Sequence, residues 1–304
     1  MELILKRTII PPRRIETNAS RTADFTCACR ALSWMETNPN FKSDDWVAAR
    51  LLPRRIQWMI KNPILRKVLS RFVGPQGVYA WVIARTKYID DWFTGISKEG
   101  FTQVLILGAG FDSRSVRFAD ELSGMRIFEL DAGTTQIMKT SQFNDRQVDF
   151  PENVTFIPMN FELEDLSPKL EKAGCSKHAK TLLLMEGVLQ YIKPEAVHKT
   201  LAALKQMTPP GSRLICDFAN SSFFNEDETG YGKSGLQRSL RQYGETFQFG
   251  LADDRVVSFF AAYGFNVIER VNPADLEAMY FKDKAGRLQA RVNGTQTIVT
   301  AERI

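Results

Sequence analysis

A doubly wound α/β fold, with a mostly parallel sheet and helices on both faces, is what this sequence predicts, and three observations carry that expectation. Short apolar runs recur at 103–107, 125–130, 153–158, 181–185 and 212–218. Helical patterns fill the intervals near 113–122, 133–142, 163–173 and 194–207. The runs therefore fall roughly 25–30 residues apart, the spacing of right-handed βαβ units. Directly after the first run stands Gly108-Ala109-Gly110, where the chain must turn sharply and let a ligand approach its backbone.

The elements follow in order. Residues 19–94 read as helical: Ala23 to Met35 is dense in helix formers, and Trp46 to Leu52 presents an apolar face. Leu51 to Leu69 carries bulky residues at helical spacing, broken at Pro53 and Pro63, and Val78 to Phe93 places Val82, Ile83, Ile89 and Trp92 periodically. The chain accordingly divides into an N-terminal helical cap over 1–94 and a ligand-binding domain over 95–304. Val104 to Leu107 has the uninterrupted apolar character of a parallel strand buried on both faces. Asp112 or Ser113 can then cap a helix starting near Arg114. The polar, aromatic-punctuated segment 221–250 reads as an inserted lid, followed by a helix at about 253–262 and a strand at 265–271. Asn293-Gly294, between Arg287–Val292 and Thr295–Ala301, is a hairpin signal and suggests an antiparallel strand at the end of the sheet.

The bulk numbers are those of a soluble globular protein: 304 residues, 44% apolar and 25% charged, with net charge +5 and pI near 9.0. The basic pairs Lys6/Arg7, Arg13/Arg14 and Arg54/Arg55 are scattered rather than interleaved with aromatics, so no nucleic-acid partner is expected. The N-terminus, broken by charges and prolines, is not a signal peptide, and no stretch approaches a membrane span. Cys27, Cys29, Cys175 and Cys216 show no C-x-x-C pair, and the two histidines, His178 and His198, have no ligand spacing. A reducing, cytoplasmic setting without a metal is the expectation.

Five sites stand out for chemistry. Ser113 replaces the third glycine of G-x-G-x-x-G, and Asp112 sits where a pyrophosphate would need a positive field. A cationic, unphosphorylated adenosine compound such as S-adenosylmethionine (SAM) suits that loop better than a dinucleotide. Glu129 and Asp131 end the second strand; either can take ribose hydroxyls, and Asp131 is favoured as nearer the sheet edge. Asn160 can bond an adenine edge and Phe161 can pack on its face. Glu186 ends a wholly apolar strand and needs a partner, either the ammonium of a ligand or an arginine. Arg85 can clamp a carboxylate, although composition alone makes it a surface residue.

These segments together resemble the leucine carboxyl methyltransferase-like group of class I SAM-dependent methyltransferases, in its bacterial O-methyltransferase branch. The resemblance runs from Arg21-Thr22-Ala23 and Ala28-Cys29-Arg30-Ala31 through Ala48-Ala49-Arg50-Leu51-Leu52 and Ala84-Arg85-Thr86. It continues through Val104 to Arg114, Phe128-Glu129-Leu130-Asp131 and Glu186-Gly187-Val188-Leu189-Gln190-Tyr191. It implies a Rossmann-like, seven-stranded, mostly parallel sheet with an antiparallel C-terminal strand. It also implies that SAM is the cofactor, with Arg85 on its carboxylate, Gly108, Ala109 and Gly110 lining its methionine end, Asp131 on the ribose and Glu186 facing the amino group. Where the family usually has Asp-Leu, this chain has Asn160-Phe161. Tyr191 is placed in the acceptor pocket. The expected reaction is methyl transfer to a carboxylate or hydroxyl of a small molecule. A peptide carboxyl terminus is the alternative acceptor, and an NAD-dependent oxidoreductase or a SAM-binding protein without turnover are readings of another class. Phe223, Phe224, Tyr231, Tyr243, Phe247 and Phe249 suggest an aromatic roof.

Overall fold

A computed structural model describes residues 21–304; the basic pairs Lys6/Arg7 and Arg13/Arg14 and the start of the chain lie outside the described residues. The sheet is built from β1 (Gln103–Leu107), β2 (Arg126–Asp131), β3 (Val154–Pro158), β4 (Thr181–Met185), β5 (Arg213–Asn220), β6 (Gly250–Leu251), β7 (Phe265–Val271) and β8 (Gln296–Arg303). Its strand order is β3-β2-β1-β4-β5-β8-β7, with the two-residue β6 pairing with β5 beside that path. The pairs among β1 to β5 are parallel, whereas β8 runs antiparallel to both β5 and β7. The order reverses at β1 and β4, so a crevice opens at their carboxyl ends.

All five residues of β1 and of β4 are buried, which is why both read as unbroken apolar runs. Five helices precede the sheet: α1 (Arg21–Trp34), α2 (Trp46–Leu51), α3 (Arg54–Lys61), α4 (Pro63–Phe72) and α5 (Val78–Phe93). Asn62 caps α4 through Ile64 N–H and Leu65 N–H, with Pro63 in the first turn, so the proline break falls where a helix can begin. Helix α5 buries Trp81, Ile83, Ala84, Ile89 and Phe93 against the β1 and β4 face that carries Val104, Ile106, Leu182 and Leu184. The opposite face packs Leu105, Leu107, Leu183 and Met185 against Val197, Leu201 and Leu204 of α9 (Pro194–Met207). The remaining helices are α6 (Arg114–Arg117), α7 (Gly133–Asp145), α8 (Leu166–Lys172), α10 (Lys233–Tyr243), α11 (Val256–Ala262) and α12 (Pro273–Tyr280).

Three expectations need correction. The helix expected over 113–122 is only the four-residue α6, and turns carry the chain on to β2. The Asn293-Gly294 hairpin does not form. Asn293 N–H donates to Gly77 O and Gly294 N–H to Tyr231 O, so the turn docks onto the start of α5 and the lid rather than joining two strands. β8 instead lies antiparallel between β5 and β7, and α12 separates β7 from β8 in the chain. That helix was missed although its signal is present: Asn272 and Asp275 form a reciprocal capping box around Pro273. All four cysteines are buried free thiols, and among the described residues no helix is long and apolar enough to cross a membrane.

Candidate cofactor and acceptor site

A cavity of about 390 Å³ opens at the crevice, and Arg85, Gly108, Ala109, Gly110, Asp131, Asn160, Phe161, Glu186 and Tyr191 all line it. The sheet topology brings these residues together. Strands β2, β1 and β4 lie side by side, so the chain leaving each one enters the same space.

The first wall is backbone. Gly108 adopts a left-handed φ of 69°, and a Cβ there would lie 2.3 Å from Val188 Cγ2, so glycine is required. Gly108 N–H and Ala109 N–H both donate to Leu130 O, at 2.7 and 3.0 Å. The Asp131 carboxylate accepts Gly110 N–H and Ala132 N–H, each at 2.6 Å. Burial pushes the Asp131 carboxyl above its ordinary value, and these two N–H donors offset part of the shift. Glu129 turns away from the cavity: it accepts Ser115 Oγ–H and pairs with Lys139 in the fully buried layer behind. Of the two carboxylates ending β2, Asp131 is the one that reaches the cavity. Asn160 Oδ1 accepts Glu162 N–H at 3.0 Å, which shapes the turn after β3.

The second wall is a belt of buried ion pairs. Arg30 of α1 meets Asp45 at 2.7 Å, and Asp45 caps α2 through Ala48 N–H. Arg117 reaches Asp45 at 3.5 Å and Asp90 at 2.7 Å. Arg114 joins Asp90 at 2.7 Å, Asp112 at 2.5 Å and Glu186 at 2.6 Å. Arg85 closes the series on Glu186 at 3.0 Å and Asp217 of β5 at 2.7 Å. Burial alone would raise the Glu186 carboxyl, but Arg114, Arg85 and Arg30 together bring it down to about 2.

The belt settles two open questions from the sequence. Arg85 is buried, not on the surface. Glu186 has its arginine partners. Asp112 also differs from expectation, because Arg114 neutralises it through an ion pair and its Oδ1 accepts Arg114 N–H at 2.7 Å. Sequence reasoning missed Arg114, Asp90 and Asp217. Asp217 carried a legible signal, a carboxylate inside the apolar run Leu214-Ile215-Cys216-Asp217-Phe218.

The roof comes from α1, α5 and the segment after α10. Of the six suggested aromatics, Tyr243 and Phe247 line the cavity. Phe223 packs behind Phe247, Phe249 belongs to the core on the opposite sheet face, Arg291 covers Tyr231, and Phe224 is exposed. Among the described residues, no cluster of three or more His, Cys, Asp or Glu side chains could hold a metal ion.

The model of one protein family, leucine carboxyl methyltransferase, matches residues 25–205, more than half of the chain. The chain belongs to the leucine carboxyl methyltransferase family. It is a SAM-dependent methyltransferase. A candidate SAM-dependent methyltransferase of Bacillus subtilis is 24% identical over 226 residues, covering 71% of this chain and 74% of that protein. Another from Mycolicibacterium paratuberculosis is 25% identical over 245 residues, covering 78% and 77%. The crystal structure of a candidate methyltransferase from Thermobifida fusca superposes with a TM-score of 0.58 at 14% identity, covering 97% of this chain and 99% of that one. That likeness establishes the class I methyltransferase fold of this family member, with its antiparallel C-terminal strands and N-terminal helices. The family match begins at Phe25, within α1, and runs through α2 to α5, so Arg30, Arg85 and Asp90 fall inside it.

Proposed function

We propose that the cavity holds SAM and that the enzyme passes its methyl group to a carboxylate or hydroxyl oxygen of a small-molecule acceptor. The observation that carries this reading is the charge of the lining. Among the described residues, Arg30 and Arg85 are its cations, against the carboxylates Asp112, Asp131, Glu162, Glu186 and Glu245; Arg114, behind the lining, answers Asp112 and Glu186, so Asp131, Glu162 and Glu245 are the carboxylates outside the belt. Both arginines are already committed, Arg30 to Asp45 and Phe111 O, Arg85 to Glu186 and Asp217. A ligand of net positive charge gains in such a space, and a diphosphate loses.

Asp131, fixed by Gly110 and Ala132, offers its oxygens to ribose hydroxyls, while Gly108 to Gly110 let the ligand approach the backbone. Asn160 and Phe161 supply an amide and a ring for adenine, the Arg85–Glu186 ion pair meets the zwitterionic amino-acid end as a pair, and Tyr191 borders the acceptor. When bound, SAM supplies a methyl group on a positively charged sulfur. The protein's part is alignment and exclusion of water, because charge dissipates as the methyl group moves. No metal is required for this chemistry. The acceptor lies where α1, α5 and the lid roof the strand ends.

Calorimetric titration with S-adenosylhomocysteine and with NAD tests the reading. The wild type takes up the first and ignores the second, and Gly108→Ala, which forces a Cβ into Val188, loses that uptake. Binding of NAD in preference to S-adenosylhomocysteine overturns it.

A further inference from the structure

The acceptor end of the cavity carries one carboxylate that the ion-pair belt does not use. Glu245 follows Gly244, which ends α10 with a left-handed φ of 67°. Gly244 N–H donates to Arg241 O at 3.1 Å and Glu245 N–H to Leu240 O at 2.9 Å, the paired closure of a Schellman motif. The backbone of Glu245 is thereby fixed. Its side chain accepts the Thr22 hydroxyl of α1. Thr22, Arg85, Tyr191 and Glu245 line the same cavity. Glu245 therefore lies beside the region assigned above to the methionine end. Phe247 meets the Tyr191 ring edge-on at 5.1 Å, and Phe223 backs Phe247 at 4.7 Å, giving an apolar aromatic wall. Trp81 lines the same cavity and its buried indole N–H has no protein acceptor, so a ligand oxygen would satisfy it.

We infer that the acceptor is a neutral hydroxyl compound, a phenol or comparable alcohol, and that Glu245 takes its proton. This rests on the methyltransferase reading above and narrows it. A carboxylate acceptor would need a cation, and the lining cations, Arg30 and Arg85, are both held by carboxylates of the belt. It would also face Glu245 as a like charge. A hydroxyl presents the opposite case. Its O–H donates to the Glu245 carboxylate, which receives the proton as the O–H bond breaks. The oxygen then forms its bond to the methyl carbon while the carbon–sulfur bond breaks, and that electron pair stays on sulfur as S-adenosylhomocysteine. The products are the methyl ether and a protonated Glu245, which returns its proton to water.

Phenol, 4-nitrophenol and benzoate serve as probes, each offered first to the wild type saturated with S-adenosylhomocysteine and then, with SAM, in turnover. At about pH 6, where both phenols keep their proton, the complex is expected to bind them and reject benzoate, and Glu245→Gln to take up benzoate more readily than the wild type. In turnover, Glu245→Gln should lower kcat with phenol on the order of 100-fold, the usual worth of a positioned base. The loss with 4-nitrophenol, already largely ionised at pH 8, should be under about tenfold. A purely structural role would cut both substrates equally. Benzoate bound as well as phenol, neither bound, or an equal loss on both phenols overturns the inference. If S-adenosylhomocysteine itself fails to bind, the methyltransferase reading fails first.

Discussion

Strands β2 and β4 flank β1 and each leads into a carboxylate at the same cavity, yet Asp131 and Glu186 are held by opposite means. Asp131 rests on two backbone N–H groups, and burial leaves its carboxyl above the ordinary value. Glu186 rests on Arg85 and Arg114, and its carboxyl is held at about 2. The difference separates two kinds of work. Dipoles fix a carboxylate in place without satisfying its charge, so Asp131 still gains from ligand donors. Cations satisfy the charge, so Glu186 serves first as a permanent anion that locks helices to strands.

Breaking the cationic side has the largest expected effect. Arg114→Ala leaves Asp112 without its arginine and Asp90 and Glu186 with one each, Arg117 and Arg85, in the interior, and should cost about 3–5 kcal/mol of stability in urea unfolding. Breaking the dipole side should hurt binding more than folding. Asp131→Asn keeps the shape but loses charge toward the ribose, lowering S-adenosylhomocysteine affinity by about 2–3 kcal/mol in calorimetry while the melting temperature moves little. The smallest effect sharpens the contrast through pH. Glu186 titrates lower in the folded protein than its ordinary 4.5, so its contribution to stability is full above that value and is lost as pH falls toward 2. Asp131 is shifted the other way and adds nothing to that acid loss. The unfolding free energy of Glu186→Gln from urea titration should therefore fall less steeply than wild type over this window.

Reading the chain revealed the backbone-built wall better than the ionic one. Gly108, Gly110 and Asp131 follow from a strand, a turn and the distance to the next strand end, all local patterns. β4 was legible to the residue, since an apolar run bounded by polar residues has few alternatives. Arg114 and Asp90 were invisible because their meaning lies in each other: they are 24 residues apart and each looks like a surface charge alone. Asn293-Gly294 misled for the same reason. The dipeptide favours a turn, but docking onto Gly77 and Tyr231 decided what the turn joins. Tertiary contact overrode a local preference there.

The belt also bears on how such enzymes can be rebuilt. Arg30, Asp45 and Asp90 come from the first five helices, while Arg114, Arg117, Glu186 and Asp217 come from the later chain. A cap borrowed from a relative to change acceptor preference therefore cannot travel as a cassette. Transplanted without its matching arginines and carboxylates, it would strand charge in the interior at the graft, so a chimera must exchange both halves of the ionic seam at once.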